Sequence, residues 1–196
     1  MTASGLGAGR GPVGLGVIGL APVAGRALGL LALSGLGWQV ATRGLNFFGA
    51  GIFLRFIHGI DLIIHEAGHV FFLVFGQFLH VLGGSVLQVA VPALCAVHFF
   101  WQRQPASFAV ALFWTGESIT DVAIYMADAP AMALPLLGGG HHDWNYLLGA
   151  LGLLGATRFL ATLTYGLGAL IILAALAILT VDLVRAWNRA GAGAPE

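Results

Sequence analysis

Two histidines and a glutamate carry the first chemical signal in this chain. The stretch Ile64-His65-Glu66-Ala67-Gly68-His69-Val70 contains the pattern H-E-x-x-H within a run that is otherwise apolar. On a helix, residues four apart project from one face, so His65 and His69 are spaced to hold one Zn²⁺ between their imidazoles. Glu66 sits one position round, close enough to bond a metal-held water without being a ligand. A carboxylate there takes a proton from the water as it attacks a carbonyl, then returns it to the leaving group. The competing reading bonds the two histidines to neighbouring helices and pairs Glu66 elsewhere. Against it stands the cost of three ionisable groups in an apolar helix without a task.

A zinc site needs a third protein ligand, with water in the fourth position. Glu117, Asp121 and Asp128 fall at i, i+4 and i+11, on one face of a later hydrophobic segment. Such a stripe must face the protein interior and pair with positive charge. Asp121 lies nearest the middle of its segment, as His65 and His69 do in theirs, and is the expected third ligand. Glu117, Asp128 and His142 are the alternates. His141 and His142 are adjacent, so at most one of them reaches a given metal. His142 with Asp143 can return to the site from its loop. Asp61, four residues before His65, is placed to bond the far nitrogen of that ring or to pair with Arg55. A structural polar network or proton path is the rival account of the stripe.

These residues must be positioned by membrane helices. Of 196 residues, 59 % are hydrophobic and only 8 % charged, and the mean hydropathy is +0.93. A water-soluble fold needs more surface charge than this, so the expected fold is all-α, a polytopic bundle embedded in the lipid bilayer. All eight basic residues are arginine and the net charge is zero, which supplies no basic surface for nucleic acid. Cys95, the single cysteine, forms no internal disulfide and reads as a small buried apolar residue.

The expected organisation has three parts. Residues 1–44 form a Gly/Ala/Leu-rich N-terminal segment, flexible or an extra span. Residues 45–187 form the membrane-embedded domain, and 188–196 a polar tail. Four spans are expected, at about 56–82, 86–101, 106–127 and 159–184, with Gly83-Gly84-Ser85 as a tight turn. This arrangement places Arg43, Arg55, Arg103, Arg185 and Arg189 on one side, the cytoplasmic side by the positive-inside rule. If residues 11–36 also cross, the N-terminus lies on the opposite side. Gly14-Leu15-Gly16-Val17-Ile18-Gly19 matches G-x-G-x-x-G formally, but no strand precedes it and no acidic residue follows at the right distance.

The motif in its apolar setting resembles the site-2 protease family of intramembrane zinc metallopeptidases, particularly its small bacterial peptidase-like branch. The resemblance covers about residues 56–128, and Gly116-Glu117 through Asp143-Trp144 is similar to the small branch as well. It implies a first core helix carrying the motif and a third contributing an aspartate ligand. It also implies hydrolysis of a peptide bond in or near the bilayer, with a membrane protein or peptide as substrate. In the family that aspartate follows leucine and precedes glycine, whereas Asp121 stands in Ile-Thr-Asp-Val and Asp128 in Ala-Asp-Ala-Pro. The expectation is an enzyme of the bacterial plasma membrane with Zn²⁺ on His65, His69 and Asp121 and with Glu66 as base and then acid. The alternatives are a non-catalytic metal-binding or transport protein and a zinc-dependent lipid amide or ester hydrolase. The sequence carries no signature of an oligomeric state.

Overall fold

The computed structural model describes residues 13–135 and 142–192; His141 lies outside them. Six α-helices follow in order: α1 Val13–Arg43, α2 Ile52–Phe72, α3 Gln77–Trp101, α4 Pro105–Ala127, α5 Asp143–Ala150 and α6 Thr157–Ala192. Among the described residues there is no strand. Among the described residues four stretches are long and apolar enough to cross a membrane: Leu20–Arg43, Ile52–Phe75, Gln77–Trp101 and Leu154–Ala192; the expected span at 106–127 is not one of them, and Leu20–Arg43 of the N-terminal segment is. The protein is a multi-pass, all-α membrane bundle.

At its centre is α4, whose polar side chains are turned toward other helices. Glu117, Ser118, Thr120 and Asp121 are all buried. Pro105 starts the helix at a position where a missing N–H costs nothing. On one flank α6 packs tightly against it, because Gly116 and Gly168 let the two backbones meet. A Cβ at Gly168 would stand 2.6 Å from the Gly116 carbonyl oxygen. Phe113, Ile172, Val40 and Leu54 form an apolar cluster that joins α4, α6, α1 and α2.

The α2–α3 hairpin departs from the expected boundaries. The first helix breaks at Gly76, whose φ of +89° suits glycine and strains other residues. Gly83, Gly84 and Ser85, expected as a turn, lie inside α3. Glycine is there for close approach: a Cβ on Gly84 would come within 2.6 Å of His65 Nε2, and Gly68 faces the backbone of Gly83 and Gly84. Composition marked these residues as turn formers, whereas tertiary packing uses them as a groove for α2.

The arginine assignment also changes. α1 runs antiparallel to α6, since Arg26 pairs with Asp182 at 2.6 Å while the Tyr165 hydroxyl donates to the Val40 carbonyl. The start of α1 therefore shares an end with Arg185 and Arg189, rather than lying opposite them. Arg43 is in the interior and is not a flanking charge. Its guanidinium donates to Glu117 Oε1 and Thr120 Oγ1, both at 3.1 Å. The reason is the register of α1 on α6, which draws the end of α1 level with mid-α4.

Candidate metal centre

His65 and His69 project from one face of α2, as the spacing required, with ring centroids 4.8 Å apart. Each ring is oriented through Nδ1. His69 Nδ1 donates to the His80 carbonyl at 3.0 Å. A carbonyl only accepts, so that nitrogen carries a proton, and in the neutral ring Nε2 is left bare. His65 Nδ1 donates to Gln88 Oε1, also at 3.0 Å. Both Nε2 atoms point at the same partner, the carboxylate of Asp143. Asp143 Oδ2 lies 2.9 Å from His65 Nε2 and 3.3 Å from His69 Nε2. All three donor atoms fall within 4.8 Å of one another.

Asp143 is delivered by the first turn of α5, where negative charge is favoured by the exposed N–H groups. His142 is the N-cap: its Nδ1 accepts from the Asn145 N–H at 3.2 Å. Tyr125 of α4 holds this start in place. Its hydroxyl accepts from the Asp143 N–H at 3.2 Å, and its ring packs on His142 with centroids 4.3 Å apart.

The donor set fits a divalent cation. With both Nδ1 positions protonated, two bare ring nitrogens and one carboxylate oxygen converge, and this arrangement needs positive charge at its centre. Two imidazoles and an aspartate satisfy the three protein positions of an open zinc site. Glu66 is exposed on α2 and lines the same cavity, of about 510 Å³. The wall is mixed, with Leu62, Val122 and Ile124 beside Gln77, Tyr125 and Tyr146.

The other expected residues stand elsewhere. Asp121 lies on the cavity wall and accepts from His58 Nδ1 at 2.9 Å and from Gln88 Nε2 at 3.1 Å. It is absent from the converging donor group, which contains Asp143. Glu117 faces away, toward Arg43. Asp128 ends α4 and accepts from the Ala133 and Leu134 N–H groups, at 3.1 and 2.9 Å. His142 Nε2 approaches Asp128 to 3.3 Å and does not join the metal donors. Asp61 does not bond His65; it accepts from Trp114 Nε1 at 2.8 Å and Ser118 Oγ at 2.9 Å. The far nitrogen of His65 meets Gln88, a residue with no sequence signal beyond its polarity in an apolar helix. His80 pairs with His69 through reciprocal ring-to-carbonyl hydrogen bonds.

No family model, curated protein or solved structure matches this chain.

Proposed function

We propose that this protein is an intramembrane zinc metallopeptidase of a bacterial plasma membrane. The observation that carries this reading is the convergence of His65, His69 and Asp143 on the wall of a cavity that Glu66 also lines. His65, His69 and Asp143 would hold the metal. Zn²⁺ supplies, when bound, polarisation of a carbonyl and acidification of water. The remaining chemistry belongs to the protein. Glu66 accepts the proton of the attacking water and passes it to the departing amine. The His80 carbonyl and Gln88 keep both imidazoles facing the centre. The cavity's apolar wall accommodates a hydrophobic peptide segment, and its polar wall accommodates an opened peptide backbone.

Orientation follows from the arginines. Arg26 lies beside Asp182, and Arg103 shares a groove with Ile178, so both gather at the end of the bundle that carries Arg185 and Arg189. The positive-inside rule makes this end cytoplasmic.

The test is hydrolysis by detergent-purified protein, offered a panel of membrane peptides beside lipid esters and amides. Peptide cleavage that vanishes in Glu66→Gln while zinc content is kept supports the proposal. Cleavage of lipids alone, or activity unchanged in Glu66→Gln, overturns it.

A further inference from the structure

Asp121 stands two hydrogen bonds removed from the metal donors, with Gln88 between, and its position suggests a task. The connection runs His65 Nδ1 to Gln88 Oε1 at 3.0 Å, then Gln88 Nε2 to Asp121 Oδ2 at 3.1 Å. Both links are buried. The same Asp121 oxygen accepts from His58 Nδ1 at 2.9 Å. Each link has a direction. An ionised carboxylate accepts and never donates, so the Gln88 side chain must turn its NH₂ toward Asp121. Its carbonyl oxygen then faces His65, and an oxygen there requires the proton of the neutral ring on Nδ1. The Nε2 lone pair is consequently available toward Asp143. Were the Gln88 amide reversed, its NH₂ would face Nδ1, the proton would move to Nε2, and His65 would lose its ability to ligate through that atom.

Resting on the metallopeptidase reading, we propose that Asp121 is a positioning residue which sets the tautomer of His65 through the orientation of the Gln88 amide. Among the described residues His65 and Asp121 are the side chains hydrogen-bonded to Gln88, so Asp121 selects the amide orientation, and it does so against Asp143, whose carboxylate 2.9 Å from His65 Nε2 favours a proton on that nitrogen when no cation is bound. His69 needs no such device, because a backbone carbonyl orients it directly. The two ligands of one motif are therefore held by different means, one by main chain and one by a side-chain relay.

The experiment compares zinc affinity, by chelator competition in detergent, for wild type, Asp121→Leu and the exchanged pair Gln88→Glu with Asp121→Asn. Asp121→Leu removes the acceptor that orients Gln88, and affinity is expected to fall roughly 10- to 100-fold. The exchanged pair keeps one buried carboxylate but moves it to position 88, where either oxygen accepts from His65 Nδ1. It is expected to recover most of the loss. Affinity unchanged in Asp121→Leu overturns the relay. A loss that the exchanged pair does not recover also overturns it, and would make Asp121 a ligand or a purely structural group.

A second measurement does not depend on metal. Nitrogen-15 spectra of histidine-labelled, metal-free protein report the His65 tautomer at alkaline pH, all variants being compared in an Asp143→Ala background that removes the carboxylate competing for a proton on Nε2, with His65→Gln identifying the resonance. The expected result is Nδ1–H in wild type and in the exchanged pair, and a mixture in Asp121→Leu. A His65 tautomer indifferent to position 121 refutes the relay whether or not zinc binds. Failure of wild type to take up zinc refutes the metal centre, while the tautomer result still decides the relay.

Discussion

His69 and His80 exchange hydrogen bonds. Nδ1 of His69 donates to the His80 carbonyl at 3.0 Å, and Nδ1 of His80 donates to the His69 carbonyl at 2.8 Å. The pair ties the last turn of α2 to the first turn of α3 across the break at Gly76. A carbonyl at a helix C-terminus lacks an intrahelical donor, and here a side chain from the next helix supplies one. His80→Phe keeps the ring bulk but leaves the His69 carbonyl unpaired. The expected cost is about 1–3 kcal/mol, read as a lower midpoint in denaturant titration of the detergent-solubilised protein. Unchanged stability would show that water replaces the bond.

Zinc content separates the candidate third ligands. Asp143→Ala, like His65→Ala, is expected to lose stoichiometric metal, because each removes a converging donor atom. Glu117→Gln and Asp128→Asn are expected to retain it, since those carboxylates are engaged with Arg43 and with the Ala133 and Leu134 amides. Metal retained in Asp143→Ala would remove α5 from the site.

Glycine positions on α2 and α3 make a sharper test of packing. Gly84→Ala places a methyl group 2.6 Å from His65 Nε2, the nitrogen that faces Asp143. Zinc affinity is expected to fall at least tenfold while the helical circular dichroism stays intact, a displacement of one ligand costing what loss of its support costs. Gly59→Ala, on the α2 helix that carries His65, is the control: nothing lies within 4 Å of its added carbon. It should bind zinc normally, and greater helix propensity can add up to about 1 kcal/mol of stability. Equal affinity in the two variants would mean that His65 repacks freely.

How far the site was legible follows from the kind of pattern each residue obeys. His65, Glu66 and His69 lie on one helix, where spacing in sequence becomes geometry directly. Asp143 lies 78 positions from His65 and reaches it through the start of a short helix beyond a loop, a return that no periodicity encodes. The acidic stripe is interior at Glu117 and Asp121, as the spacing predicts, whereas Asp128 is half-buried at the C-cap of α4. The stripe's partners were not readable, because they depend on which helices pack against α4: Arg43 for Glu117, Gln88 and His58 for Asp121. The same limit hid the role of Gly83 and Gly84. Two adjacent glycines mark either a turn or a close helix contact, and only the neighbouring helix decides.

Arg43 illustrates that limit and supplies the last prediction. As a cation ending an apolar segment, it reads as a flanking charge at the membrane surface. Packing of α1 along α6 instead buries it, with its side chain only 2 % exposed and Glu117 fully buried. Arg43 Nε and Glu117 Oε2 have no partner among the described residues, so the ion pair is less than fully hydrogen-bonded. Breaking a buried pair from one side leaves an uncompensated charge, at a cost of about 3–5 kcal/mol, whereas removing both partners with apolar groups is often neutral. Arg43→Leu is therefore expected to lower stability in denaturant titration by that amount. Adding Glu117→Leu should recover most of it, with zinc content near one per chain. Additive losses in the double variant would mean that the pair specifies how α1 meets α4, beyond neutralising charge.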